Sequence, residues 1–289
     1  MEEVRLEKKG IYSLNEITLS FSLSRQAFYQ WQKRSKALEV EEKVILDLVK
    51  AERRLQPRIG TRKLLNRRLK GTFRDLGIKI GRDKFFGILR KNGLLITPKR
   101  SYVRTTDSFH YFRVYTNLIK DKVIDRPHLV MASDITYIRT LEGFMYLALI
   151  TDLGSRNIIG YDLSESLAIE GSLRALKMAL RQRDRTKKMI HHSDRGIQYC
   201  SHKYIETLKE NNVLISMAEK GNPYENAIAE RVNGILKTEY MLDETFNSKA
   251  DALRAVREAI WMYNNLRPHL SLGYRTPEEV HQGGLRDAA

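Results

Sequence analysis

At 289 residues, with 42% hydrophobic side chains, the chain is long enough for two or more domains with buried cores. A single cysteine, Cys200, excludes a disulfide framework and any cysteine-rich zinc site, and no run approaches the roughly 20 apolar residues of a membrane span. The net charge of +16 is unevenly spread: 30 Lys and Arg face 14 Asp and Glu before residue 128, whereas 21 face 21 after it, so a polyanion is expected to dock chiefly on the N-terminal part.

Met1 leads into Glu2-Glu3-Val4-Arg5 rather than an apolar signal segment, which reads as a cytoplasmic protein. Ser13 is placed to cap a helix over Leu14 to Leu19 with Glu16 at the capping-box position, and Ser24 to cap a second over Arg25 to Arg34. The second helix carries Phe28 and Trp31 for packing and leaves Arg25, Gln26, Gln30 and Lys33 outward. Residues 1–38 therefore suit a helix-turn-helix whose second helix reads base edges in the major groove; a helical hairpin without a DNA role is the alternative.

Residues 39–95 form a second helical group, with helices expected over Glu41 to Arg54, Gly60 to Lys70 and Arg82 to Asn92, the last stopped by Gly93. Its outward cations include Arg58, Arg62, Lys63, Arg67, Arg68, Arg82, Lys84, Arg90 and Lys91, residue types that meet phosphate more often than base edges. Phe85 and Phe86 are expected in its core. Residues 96–127, with Pro98-Lys99-Arg100 and Arg126-Pro127, read as a basic linker, either a tether or a DNA contact.

From residue 128 the pattern becomes α/β. Strands are expected over Leu129 to Arg139, Phe144 to Leu153 and Asn157 to Leu163, joined by the turn signals Glu142-Gly143 and Gly154-Ser155 into an antiparallel meander. An amphipathic helix over Ala168 to Arg183, a strand over Lys188 to His192, a helix over Tyr204 to Asn211 and a strand over Val213 to Met217 follow. A helix bearing Glu230 and a long helix over Ala250 to Asn264 complete the series. Three strands followed by alternating helices and strands is the order of an RNase H-like fold. The fold class is thus α/β, a five-stranded mixed sheet with helices over 128–245, preceded by the all-α region and followed by a C-terminal helix and tail, 246–289, packed on the core.

Asp134 and Asp194 end or interrupt apolar strand-like runs, and Glu230 follows Asp194 after 35 intervening residues. Three carboxylates so arranged suit a metal-dependent phosphoryl-transfer site, because hard divalent cations take oxygen ligands. Asp152, Asp162 and Glu225 are nearby acids expected to be structural; Glu225 sits near a helix start, where negative charge favours the dipole. On that helix Ile228, Val232, Ile235 and Leu236 form the apolar stripe, with Glu230, Asn233 and Lys237 along an adjoining polar edge. His192 and Arg195 flank Asp194 and, with Asn233, are secondary active-site candidates, while Asn222-Pro223-Tyr224 reads as a loop near the site with Tyr224 more suited to packing than to base stacking.

The motifs Ser133-Asp134-Ile135-Thr136-Tyr137, His192-Ser193-Asp194-Arg195-Gly196, Asn226-Ala227-Ile228-Ala229-Glu230 and Leu236-Lys237-Thr238-Glu239, with Arg267-Pro268-His269, Leu272-Gly273-Tyr274 and Thr276-Pro277, resemble the DDE transposases and retroviral integrases. The closest resemblance is to the second-frame transposase of bacterial insertion sequences of the IS-three family, from about residue 12 to 280. The resemblance implies Asp134, Asp194 and Glu230 as catalytic metal ligands and Mg2+ (or Mn2+), two ions per site, as cofactor. It implies DNA, both transposon ends and target, as substrate, with nicking by water and strand transfer by the freed 3′-hydroxyl along a copy-out, paste-in route. It further implies Lys237 as a DNA contact near the reactive end, Arg267 and His269 as DNA contacts or helix caps, a homo-oligomer on DNA, and an upstream reading-frame product fused or associated. A DNA-binding regulator with a silent core and a structure-specific nuclease on the same fold are the competing readings.

Overall fold

The computed structural model describes residues 13–97, 112–120, 122–183, 188–219 and 227–286. The first element, α1 (Leu14–Ser20), begins with the full capping box: Ser13 Oγ accepts from the Glu16 amide, and the Glu16 carboxylate accepts from the Ser13 amide. Ser24 caps α2 (Arg25–Leu55) by accepting from the Ala27 amide. The two helices expected between residues 25 and 54 are one continuous 31-residue helix. Nothing between Arg34 and Glu41 breaks it, since Ser35-Lys36-Ala37-Leu38-Glu39-Val40 holds neither Gly nor Pro, and residue 38, the expected end of the first unit, lies mid-helix. Phe28 is fully buried, whereas Trp31, also expected to pack, is 42% exposed.

The helical region continues through α3 (Thr61–Lys63), a π-turn over Leu64–Arg68, α4 (Lys70–Asp75) and α5 (Arg82–Lys91). It has its own core, in which Ile45 and Val49 of α2 meet Ile59, Leu64, Leu69, Phe73, Phe85 and Leu89. The half of the expected linker that is described lies against the α/β region: the Leu118 amide donates to Ser216 Oγ (2.9 Å), Lys120 pairs with Glu219 (3.0 Å), and Ile119 and Ile124 pack beside Val130 and Leu153. Pro98-Lys99-Arg100 falls outside the described residues.

The α/β region is built on β1 (Val130–Thr140), β2 (Gly143–Asp152), β3 (Ile158–Ser164), β4 (Met189–Ser193) and β5 (Val213–Met217), in the order β3-β2-β1-β4-β5. The first three strands form the antiparallel meander, and β4 and β5 join in parallel. A two-residue β6 (Thr245–Phe246) adds a sixth member, parallel to the far end of β1; two residues carry no alternation from which it could be read. This is an RNase H-like α/β fold.

Both sheet faces are covered. On one lie α6 (Ile169–Arg181) and α8 (His202–Glu210), with the short α7 (Ile197–Cys200) between them in the chain. Gly160 of β3 lets α6 approach closely, because a Cβ there would sit 2.2 Å from the Ala175 carbonyl oxygen. On the other face α9 (Ala227–Glu239) and α10 (Lys249–Asn265) bury Val232, Ile235, Leu236, Val256, Ile260 and Tyr263 against Ile138, Leu147 and Leu149. A 3-10 turn (Leu270–Leu272) leads to α11 (Pro277–Arg286). Among the described residues no helix is long and apolar enough to cross a membrane.

Candidate active site

The register of two parallel strands brings the two aspartates together. Ser133 of β1 pairs with Ser193 of β4, so Asp134 and Asp194, the next residues, leave adjacent strands side by side. Strand alternation sends Ser133 to the opposite face, where its Oγ lies 2.7 Å from His191 Nε2 and 3.3 Å from the Tyr204 hydroxyl, all buried. Burial pushes the His191 pKa down to about 3, so this imidazole stays neutral and is a packing element beneath the site.

Asp134 Oδ2 accepts from Asn233 Nδ2 of α9 at 2.7 Å, and its Oδ1 accepts from the Ile135 amide at 2.9 Å. Asp194 Oδ1 accepts from the Gly196 amide at 2.9 Å. Burial first, then the neighbouring Asp194 charge, raise the Asp134 pKa to about 7 against the pull of Asn233. Burial and Asp194 likewise raise Glu230, which is exposed one turn before Asn233 on α9. Asp134 therefore feels the charges of both Asp194 and Glu230, and Glu230 that of Asp194.

The donor set fits a hard divalent ion. It consists of carboxylate oxygens, supplemented by the buried Asn233 Oδ1, which has no hydrogen-bond partner among the described residues. Asn233, expected on a polar edge, is 6% exposed: the edge is roofed by β1 and holds Asp134 in place.

The secondary candidates lie close by in different roles. His192 is fully buried, with Nδ1 2.9 Å from Ser216 Oγ, and Arg195 Nε donates to the Ala218 carbonyl at 2.9 Å, tying the Asp194 loop to the end of β5. Lys237 is half-buried with Nζ 4.1 Å from the centre of the Tyr137 ring. Burial and Arg139 lower the Lys237 pKa, while Asp134 opposes them. Tyr137 had no expected role; its place in the Asp134 motif and its aromatic face, three residues beyond, were the available signals. Asp162 is bound by Arg174, as expected of a structural acid, and Asp152 accepts from the His128 and Ser155 amides. Asn222, Pro223, Tyr224 and Glu225 lie outside the described residues.

The expected DNA-binding side chains divide. Arg25, Gln26, Gln30, Lys33 and Arg62 are exposed. Arg82 and Lys84 are exposed and pair with Asp83 (2.8 Å) and Glu41 (3.1 Å). Arg58 reaches the Thr238 carbonyl at 3.5 Å. Lys63 faces inward: its Nζ donates to both oxygens of Glu239 at 3.0 and 3.2 Å, joining the helical region to the end of α9. Arg267 grips the same carboxylate through Nε and Nη2 at 2.8 and 2.7 Å, and its Nη1 lies 2.7 Å from His269 Nε2. Burial and Arg267 lower the Lys63 pKa to about 8; burial and Arg267 hold His269 at about 2. With Arg267 3% and His269 8% exposed, these residues are an internal junction and do not form a DNA-facing surface.

Residues 125–223 match one integrase core domain model and residues 211–277 a second. The chain is 31% identical over 292 residues to the transposase InsF of insertion sequence IS3A from Escherichia coli (strain K12), covering 99% of this chain and 100% of that protein. The chain belongs to the IS3 family of insertion-sequence transposases. This transposase is also 34% identical over 270 residues to the insertion element IS600 uncharacterized 31 kDa protein of Shigella sonnei, covering 91% of this chain and 97% of that one. A further relative is the transposase of insertion element IS629 from Shigella sonnei, 32% identical over 206 residues, 71% of this chain and 69% of that one. Among solved structures, the magnesium-bound catalytic core of HTLV-2 integrase in its trimeric form overlays with a TM-score of 0.43 at 19% identity, covering 54% of this chain and 97% of that one. Its family membership and integrase core domain make the chain a DDE polynucleotidyl transferase acting in DNA transposition.

Proposed function

We propose that Asp134, Asp194 and Glu230 are the catalytic residues of this transposase, which nicks transposon ends and transfers the freed strand. The observation that carries the reading is the Ser133–Ser193 register, with its adjacent aspartates, opposite an α9 that donates Asn233 to Asp134. The three carboxylates would hold divalent ions, magnesium or manganese, two per site, whose chemistry when bound is to polarise the scissile phosphate together with its attacking and leaving oxygens. Water attacks phosphorus in the first step and the 3′-oxygen leaves as a hydroxyl; that hydroxyl attacks the target phosphodiester in the second. Asn233 fixes the Asp134 carboxylate, and Lys237, its ammonium held against Tyr137, meets a DNA phosphate.

The helical region supplies most of the DNA affinity through Arg25, Gln26, Gln30, Lys33, Arg62, Arg82 and Lys84, with Arg58 at its border with the core. Lys63 is left out of that surface by its bond to Glu239. The working protein is cytoplasmic, acts as a homo-oligomer on DNA, and associates with an upstream-frame product.

The test is a labelled donor-end oligonucleotide with magnesium. The wild-type protein should give nicked and joined products, and Glu230→Gln should give neither while unfolding no lower, because the Glu230 side chain is exposed and its charge is disfavoured by Asp194. Cleavage without joining would favour a nuclease, and no reaction from the wild type a silent regulator; either replaces the reading.

A further inference from the structure

A second cluster of ligand-type side chains lies at the start of β1. Met131 pairs with Asp152 across β1 and β2, so the cluster lies three residues, about 10 Å at the usual strand rise, from Asp134. It consists of His128, Asp152 and His281, which are 3%, 0% and 4% exposed. One ligand atom from each residue lies within 4.8 Å of the other two. The imidazole rings of His128 and His281 are 4.1 Å apart between centres and tilted by 47°.

The surroundings orient all three groups. Ser155 Oγ donates to Asp152 Oδ1 at 2.8 Å and lies 3.1 Å from His281 Nδ1. Because its proton is committed to the carboxylate, that Oγ accepts from Nδ1–H, which leaves the lone pair of His281 on Nε2. His128 Nε2 lies 3.3 Å from the His281 carbonyl oxygen, an acceptor only, so this ring donates through Nε2 and keeps its lone pair on Nδ1. Each ring thus offers one basic nitrogen, its tautomer set by a hydrogen bond through the other, as in metal-ligating histidines. His128 has φ 66°, a left-handed conformation uncommon for a residue with a Cβ, and its amide is held by Asp152 Oδ2 at 2.7 Å.

We propose that His128, Asp152 and His281 bind one divalent cation of the zinc class. Two imidazoles and one carboxylate are a mixed nitrogen and oxygen set that suits zinc and its neighbours better than magnesium, with a fourth position left to water. His281 sits on α11, and the other two ligands sit at the sheet end, so the ion clamps the C-terminal helix to β1 and β2. Asn157 Nδ2, donating to Glu278 Oε2 at 2.9 Å, reinforces the same junction. The clamp is independent of the catalytic reading.

The experiment uses the full chain, stripped with chelator and dialysed against zinc alone, with bound metal counted. It is made on the Asp134→Asn background so that the carboxylate triad does not contribute. The expected result is one zinc per chain, a rise in unfolding temperature that an equal concentration of magnesium does not produce, and visible d–d bands with cobalt. His281→Gln and His128→Asn should each abolish the stoichiometric zinc and the bands. Asn tolerates the left-handed backbone, so His128→Asn carries the test if His281→Gln does not fold. No zinc on the Asp134→Asn protein, or stoichiometric zinc retained by a folded His128→Asn variant, overturns the proposal.

Discussion

Asp134→Asn should make the metal-free protein more stable above neutral pH while removing its chemistry. The Asp134 carboxyl titrates at about 7 where the ordinary value is 3.8. Between those two values the folded state binds a proton that the unfolded state does not, so stability falls as pH rises from about 4 to 7 and stays reduced above. At about 1.36 kcal/mol per pH decade, ionising a fully dry carboxylate here would cost on the order of 4 kcal/mol. The side chain keeps part of its contact with water, which brings the cost to about 1 to 2 kcal/mol. Asparagine removes the charge yet can still accept from Asn233 Nδ2.

Thermal unfolding of both proteins in chelator measures the difference. At pH 8 Asp134→Asn should unfold about 2 to 3 °C higher, by the usual conversion for a chain of this size. At pH 5 the gap should be about a third as large, and below pH 3.8, where Asp134 is protonated in both states, the two should coincide. Magnesium should raise the wild type and leave the variant in place, because metal binding neutralises the same charge. A variant that melts lower at pH 8, or gains equally at pH 5, would refute the electrostatic account of the site.

Removing Glu239 should be far more damaging, since it leaves Arg267 buried without its partner: Glu239→Ala should cost about 3 to 5 kcal/mol, read from the urea midpoint. Gly160→Ala should cost about 1 to 3 kcal/mol by overpacking, because its Cβ would collide with the backbone of α6; unchanged thermal stability would contradict that packing. In salt titrations of DNA binding, Arg62→Gln and Arg82→Gln should each reduce the slope of log K against log salt by about 0.9. Lys63→Gln should leave the slope unchanged, because Glu239 already holds that ammonium.

The elements that carry the candidate site were legible because their cues are local, whereas the roles of its residues came from the family resemblance. Strand alternation and turn signals place Asp134, and the motif around Asp194 ends a short apolar run in the same way. The stripe of Val232, Ile235 and Leu236 orients α9. What escaped depends on partners far away in the chain. Lys63, Arg267 and His269 look like surface cations in one dimension, and only the return of Glu239 makes them interior. Asn233 reads as a polar edge until β1 roofs it. The break expected before Glu41 failed for a different reason: the hydrophobic pattern changes there, but no residue type interrupts a helix.

That unbroken α2 has a geometric consequence. At about 1.5 Å per residue a 31-residue helix is a rod of roughly 46 Å, with its C-terminal part packed into the helical core and Gln56, just past its end, bonded to the Leu266 carbonyl. Its free end carries α1. Spacing and azimuth are therefore coupled as on a screw thread: inserting one residue in the exposed stretch around Lys36 would advance α1 by only about 1.5 Å but turn it by about 100° around the rod. Whatever groove α1 and the start of α2 engage, the helix sets the angular phase at which it meets the carboxylates, and evolution can lengthen this arm without rotating its tip only by about seven residues at a time.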